Sequence, residues 1–461
     1  MKTTKALAAF TAAVMAVCSF ASCGKVEPEN TAANVNESST VTEQQPEGES
    51  ETDAVSEAVT SSEDDAYSET VTVSSDTSSS EGAEEAEAPE ERGEFEHGAD
   101  DFAAELFKRA VAEKSGENIV VSPESVMFCM GLAANGAAGT TRDEMLDVLA
   151  GGTDLETFNE KMKKWHKRQA DDDEEVQGES RNGLQPFKIL NANSIWTAKE
   201  MALSDSYLQR IKDCFDAENH RSLEVNEMNE WVREKTDGMI DKAIKNLPPD
   251  IMSVLINTVT FDAQWAEHFV ESDGSFTAAD GTVQQVTMLQ NSENQIINGD
   301  DCKGFMKYYS DTNYAFVGLL PDEGTSAEEL VQTLDGEKLH SLISGAEYRH
   351  DPCDVSIPAF SVDAEFKMSG MLMDMGIKKA FGDADFSEMA DVSLAISEVL
   401  QKAHLEIDKN GTKAAAVTTA FMAMGIEPVP VENLTFDRPF VYAIVDLENG
   451  LPIFLGVENK I

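Results

Sequence analysis

Positive charge is scarce in this 461-residue chain: 35 lysines and arginines stand against 86 aspartates and glutamates, a formal net charge of −51. No basic stripe is left to neutralise phosphates, which argues against nucleic acid as a partner. Cysteine is also sparse. The six residues, Cys18, Cys23, Cys129, Cys214, Cys302 and Cys353, show no two-residue spacing, so neither a zinc site nor a redox motif is indicated. The apolar core near the N-terminus, Ala6 to Val17, is too short for a spanning helix. Enzyme signatures are missing as well: there is no Gly-x-Ser-x-Gly elbow, no His-Glu-x-x-His, no Walker loop and no dinucleotide fingerprint. The chain is therefore not read as an enzyme, and no catalytic residue, metal site or cofactor is expected. His404 lies on an apolar strand, where a lone histidine is structural more often than catalytic. Met368, Met371, Met373 and Met375 read as flexible core fillers of an amphipathic helix over Phe366 to Ile377, in preference to a soft metal site.

What is present divides into three parts. Residues 1–22 carry Lys2 and Lys5, then the short apolar core, and read as a signal peptide. Phe20-Ala-Ser-Cys23 resembles a bacterial lipobox, although Phe20 departs from the usual leucine. The resemblance implies cleavage before Cys23 and diacylation of its sulfur, with plain secretion as the alternative. From Gly24 to Glu94 the chain is Ser, Thr, Glu, Asp, Ala and Pro with almost no large apolar residue, and 21 acids face only Lys25 and Arg92. Such a segment buries too little surface to offset chain entropy, so residues 23–94 are expected to be an acidic disordered tether behind the lipidated cysteine. Residues 95–461 are expected to form one large folded domain. Cys129, Cys214, Cys302 and Cys353 are expected there as free thiols, though export would permit a disulfide.

Within that domain several segments announce their structure. Ser122-Pro123 reads as an N-cap followed by a first-turn proline, and Thr141 with Glu144 has the offset of a capping box. Ala403-His-Leu-Glu-Ile407 reads as a strand. Asn410-Gly-Thr-Lys-Ala-Ala-Ala-Val-Thr-Thr419 follows it, with Thr412, Ala414, Ala416 and Thr418 on one face at period two. Residues that small could slip between strands already packed together, whereas an ordinary buried strand takes β-branched or aromatic residues. Taken alone, the same decapeptide also suits a surface loop or a short helix.

This stretch resembles the reactive-loop hinge of the serpins. So do Asn118-Ile-Val-Val-Ser-Pro-Glu-Ser125 with Met130 to Leu146, Asn229 to Ile240, Val254 to Trp265, Leu319 to Gly324, Val355 to Val362, and the tail Leu434 to Ile444 with Leu451 to Asn459. The resemblance implies an α+β serpin fold of large mixed sheets, surrounding helices and an exposed reactive loop. It implies a sheet-opening region at Ser122, Ser125, Asn257 and Gln401, with Trp265 near the sheet's upper end. Many relatives have histidine at Gln401; glutamine keeps a donor and an acceptor without titrating. The implied hinge comprises Gly411, Thr412, Ala414, Ala415, Ala416 and Thr418, with Lys409-Asn410 and Lys413 departing from the acids usual there. The implied reactive bond is Met424-Gly425 or Gly425-Ile426, in an apolar stretch that suits elastase-, chymotrypsin- or subtilisin-like serine proteases. The expected activity is suicide inhibition, the loop entering the central sheet before the acyl-enzyme hydrolyses. The expected partner is a serine protease in a covalent complex with a monomeric inhibitor, held to the bacterial cell membrane only by its lipid. The alternative is a non-inhibitory serpin-fold surface binding module whose loop is merely cut.

Overall fold

A computed structural model describes residues 12–22, 92–177, 187–240, 242–412 and 432–461, and among these the chain forms two sheets wrapped by helices. The first sheet has seven strands. Its order is β11 (Phe360–Lys367), β12 (Leu394–Ile407), β1 (Ala12–Ser22), β5 (Ile251–Gln264), β3 (Lys188–Thr197) and β4 (Glu218–His220), with β13 (Gly411–Thr412) pairing to the end of β5. The second sheet runs β14 (Asn433–Thr435), β10 (Glu347–Pro358), β7 (Val283–Asn298), β8 (Cys302–Tyr308), β9 (Tyr314–Pro321), β15 (Phe440–Asp446), β16 (Leu451–Glu458) and β2 (Ile119–Val121), and β6 (Val270–Thr277) pairs with β7. The helices are α1 (Glu94–Glu113), α2 (Pro123–Gly136), α3 (Gly139–Ala150), α4 (Leu155–Gln177), α5 (Asp205–Phe215), α6 (Val225–Lys235), α7 (Ala327–Gln332), α8 (Gly336–Ser344) and α9 (Ser369–Met375).

The residue patterns account for these elements. Along the edge strand β11, Phe360, Val362, Ala364 and Phe366 are buried and their neighbours exposed, the alternation of a sheet with one solvated face. Strands β9, β15 and β16 are buried along their whole length and are near-continuous apolar runs. Helix α2 starts where Ser122 Oγ accepts from the Ser125 backbone and Pro123 occupies the first turn. Every one of its residues is buried, the polar Glu124, Ser125 and Asn135 included. It packs behind β1 and β5. The other face of the same sheet packs on α6, where Met15, Val17, Trp196, Met228, Trp231, Val232 and Ile256 share a smaller core.

Two helical expectations are corrected. Phe366 lies within strand β11, and the helix expected from it begins only at Ser369; Met368 and Met371 are buried while Met373 is exposed. The alternating burial of Phe360 to Phe366 continues the strand to Lys367, so period two prevails over the helical reading. Thr141 and Glu144 do not cap a helix either, since α3 already begins at Gly139. Thr141 Oγ1 accepts from the Asp385 backbone at 3.0 Å, and Glu144 accepts from the backbones of Lys378 and Lys379 at 2.8 and 2.7 Å. Both side chains fasten α3 to a distant segment instead.

Residues 12–22 are a central strand of the first sheet. β1 is antiparallel to both neighbours, from Ala13 opposite His404 on β12 and Ala12 opposite Phe261 on β5. Apolar residues that suit the core of a signal peptide also suit a strand buried on both faces, and periodicity does not distinguish the two. Among the described residues no helix is long and apolar enough to cross a membrane.

Candidate functional site

The site is the seam of the first sheet between β5 and β12, together with the turn that closes its upper end. At mid-seam the four residues expected to govern sheet opening come together around the start of α2. Gln401 donates to the Ser122 carbonyl at 2.8 Å and accepts from the Ser122 backbone N–H at 3.2 Å, so its amide uses both its donor and its acceptor on the backbone of one residue. Across the seam Ser125 Oγ donates to Asn257 Oδ1 at 2.5 Å, and Asn257 Nδ2 donates to Asn191 and Asn193 Oδ1 at 2.7 and 2.9 Å. Gln401 thus ties β12 to α2, and Asn257 ties β5 to α2 and β3. Neither bridge crosses the seam directly. What lies between is Ala16 of β1, opposite Gln401 on one side and Asn257 on the other.

The network extends further than the sequence indicates. Asn191 donates to Glu124 Oε1 and Gln169 Oε1 at 3.1 and 3.2 Å, and Gln169 donates to Glu124 Oε1 at 2.8 Å. Glu124 is fully buried and its second oxygen has no hydrogen-bond partner among the described residues. Burial pushes its carboxyl up to about 7, against which the Gln169 and Asn191 bonds only partly favour the charged form. Asn191 and Asn193 sit two apart on a strand, and this polar pair at strand spacing was the available signal. Glu124, inside Ser-Pro-Glu-Ser, reads only as an acid in a helix's first turn.

A carboxyl raised in the folded state binds its proton more tightly there than when unfolded. The resulting destabilisation is absent below the ordinary carboxylate value and complete above about pH 7. Replacing Glu124 with glutamine removes it. The stability of the variant relative to the parent should therefore rise between pH 4.5 and 8, by roughly 2–3 kcal/mol. Urea unfolding of both chains at the two pH values measures this, and a difference independent of pH would contradict it.

Behind the seam, α2 sets Cys129 against β1. The Cys129 thiol donates to the Leu255 carbonyl at 3.7 Å. Burial pushes this thiol up to about 12. Cys18, Cys129, Cys302 and Cys353 are buried free thiols, and Cys214 is a half-buried one.

At the upper end, β12 passes into a tight turn over Asp408 to Gly411. Asp408 Oδ1 accepts from the backbones of Asn410 and Gly411 at 2.7 and 3.1 Å. Gly411 and Thr412 then pair with Gln264 and Ala263 of β5. Gly411 has φ +135°, and a Cβ there would lie 2.3 Å from the Ala263 carbonyl oxygen, so only glycine fits. Trp265 holds this turn. It is wholly buried, stacks on Tyr309 at 4.5 Å, donates Nε1 to the Asp408 carbonyl at 2.9 Å, and its backbone nitrogen donates to the Asn410 carbonyl at 2.9 Å. Lys409 pairs with Glu271 at 2.8 Å and Asn410 Nδ2 donates to Asp408 at 3.2 Å, so the two residues that depart from acids serve local pairing. His404 Nδ1 lies 2.9 Å from Asp363 Oδ1 on the neighbouring strand, a partly exposed cross-strand contact. Cys23, Lys413, the hinge residues Ala414, Ala415, Ala416 and Thr418, and the bond among Met424, Gly425 and Ile426 lie outside the described residues.

The family model described as Serpin (serine protease inhibitor) matches residues 97–460. A serpin-like protein of Thermococcus kodakarensis is 29% identical over 376 residues, 77% of this chain and 83% of that protein. Among solved structures, the thermophilic serpin tengpin in its native state is similar at 32% identity and a TM-score of 0.70, covering 80% of this chain and 94% of that one. The same protein in its latent state gives 32% identity and 0.69, covering 80% and 98%.

Proposed function

This chain belongs to the serpin family, and on that premise we propose that it is a monomeric suicide inhibitor of elastase-, chymotrypsin- or subtilisin-like serine proteases. Serpins in general are protease inhibitors, not catalysts, and their partners are target proteases. The observation that carries the finer reading is the register at the top of the seam. Thr412 stands opposite Ala263 of β5, and β12 on the other side of the seam delivers the chain to it through the Asp408 turn. Were that pairing continued, residues 414, 416 and 418 would follow on the same face as Thr412, the face packed on α2. The residues there are Ala414, Ala416 and Thr418, small and uncharged. A protease that attacks the loop would form an acyl-enzyme on its serine, and loop insertion would then compete with deacylation. A displacement of the catalytic groups by about 1 Å costs on the order of 100-fold in rate, enough to trap the enzyme.

Mixing the chain, freed of residues 1–22, with pancreatic elastase tests the proposal. An SDS-resistant covalent band is expected; a clipped chain without that band would support the second reading, a non-inhibitory binding module. One observation favours that second reading for the intact chain, since β1 already occupies the seam.

The proposal places the protein outside the cell as a lipoprotein, diacylated on Cys23 and presented on an acidic tether. Two acyl chains, at roughly 0.8 kcal/mol per buried CH₂, anchor stably where one would not. Replacing Cys23 with serine should shift the protein from the detergent phase to the medium. Mass spectrometry of the native N-terminus checks the assignment, and an unmodified Cys23 would make it a secreted inhibitor.

A further inference from the structure

The N-terminal segment competes for the place that the proposed mechanism assigns to the reactive loop. Thr412 pairs with Ala263 and Ala12 with Phe261, both antiparallel to β5. Continued along β5, the loop would bring residue 414 opposite Phe261, where residue 12 now stands: 414 against 12, an offset of 402. The offset is even, so the faces also correspond. Loop residues 416, 418 and 420 would take the positions of residues 14, 16 and 18, and 417 and 419 those of 15 and 17. The present occupant fits both sides. Ala16 and Cys18 join the core behind the sheet, Met15 and Val17 join the core beneath α6, and all four are at most 5% exposed. Ser19 Oγ lies 2.9 Å from Ser397 Oγ, whose hydroxyl also reaches the Ser19 carbonyl at 3.1 Å, and these contacts hold the lower end to β12.

We propose that residues 12–22 of the uncleaved chain are its own occupant of the groove between β5 and β12 and bar the reactive loop from it. While this segment is seated, a cut loop has no place to enter, and a protease finds a substrate instead of an inhibitor. Hydrolysis of the Ser22–Cys23 bond, in which water adds to give a Ser22 carboxylate and a Cys23 ammonium, converts the seated segment from a covalently tethered ligand into a dissociable one. Processing therefore both anchors the protein and arms it. This inference rests on the inhibitory reading above for its consequence, but the seating itself does not.

The test uses the full-length uncleaved chain, its Ala16→Glu variant, which sets a carboxylate between Gln401 and Asn257, and Ser19→Pro as a second way to unseat the strand without touching the rest of the domain. The first readout is labelling of Cys18 by iodoacetamide, mapped by mass spectrometry, with half-buried Cys214 as the reference. Cys18 should be protected at least tenfold relative to Cys214 in the parent and lose that protection in both variants. Rapid labelling of Cys18 in the folded parent would overturn the proposal. The second readout is the covalent band with elastase, expected to be absent from the parent and present in the variants. A band from the parent with Cys18 still protected would also overturn it. Protection in the parent, its loss in the variants and no band from any chain would uphold the seating of residues 12–22 and defeat the inhibitory reading instead.

Discussion

Replacing Thr412 with arginine should turn the processed chain from an inhibitor into a substrate. Thr412 is the first residue beyond Gly411 whose backbone pairs with β5, and it stands opposite buried Ala263. Insertion would hold the new guanidinium on the face of Ala263, a buried position of the apolar core. An unpaired buried cation costs several kcal/mol, enough to slow entry of the loop below deacylation. Cleavage would continue, because the proposed reactive bond lies about a dozen residues further along the chain. The stoichiometry of inhibition with elastase measures this directly, and an unchanged covalent yield in Thr412→Arg would remove the case for insertion.

The second large effect concerns heat. Cutting within residues 420–426 of the processed chain should raise its thermal midpoint, where most proteins lose stability when nicked. About a dozen residues that gain ladder hydrogen bonds at roughly 1 kcal/mol each would contribute on the order of 10 kcal/mol. For a domain of this size, at roughly 2 °C per kcal/mol, that is an increase of about 20 °C. The uncleaved chain should show almost none of it, because its seam is already filled by β1. Calorimetry of both forms before and after limited proteolysis distinguishes them, and equal midpoints for the processed chain would favour the non-inhibitory module.

Much of this architecture was legible because local chemistry and tertiary demand agree. Ser122-Pro123 starts a helix on capping grounds alone, and α2 begins there. Ala403 to Ile407 reads as a strand and the resemblance implies one over Val254 to Trp265; β12 and β5 stand there in the first sheet. Gln401 was identified as able to bridge, and it does so through both ends of its amide to Ser122. Legibility failed where a residue's partner is remote in sequence. Thr141 and Glu144 have the right spacing for a cap, yet each binds a backbone more than 230 residues away. Glu124, Gln169 and Asn191 form one buried cluster out of three separate segments, and no local pattern announces that. Residues 12–22 illustrate a different limit. A short apolar run satisfies a bilayer, a translocation channel or a gap between strands equally well, and only the three-dimensional setting says which gap is open.

The indole of Trp265 also makes the upper end of the seam observable. It is enclosed by Tyr309, Phe269 and Phe316, and its one polar atom is committed to the carbonyl of Asp408, the residue that begins the turn into the hinge. Any movement that draws the hinge downward strains or breaks that bond, and the emission of a tryptophan depends on the polarity around it. The other three tryptophans, Trp165, Trp196 and Trp231, are rooted in helices and strands away from this turn. Substituting phenylalanine for those three would leave a single tryptophan, and the time course of its emission would record any disturbance of that mooring as pairing extends below it, without an added dye.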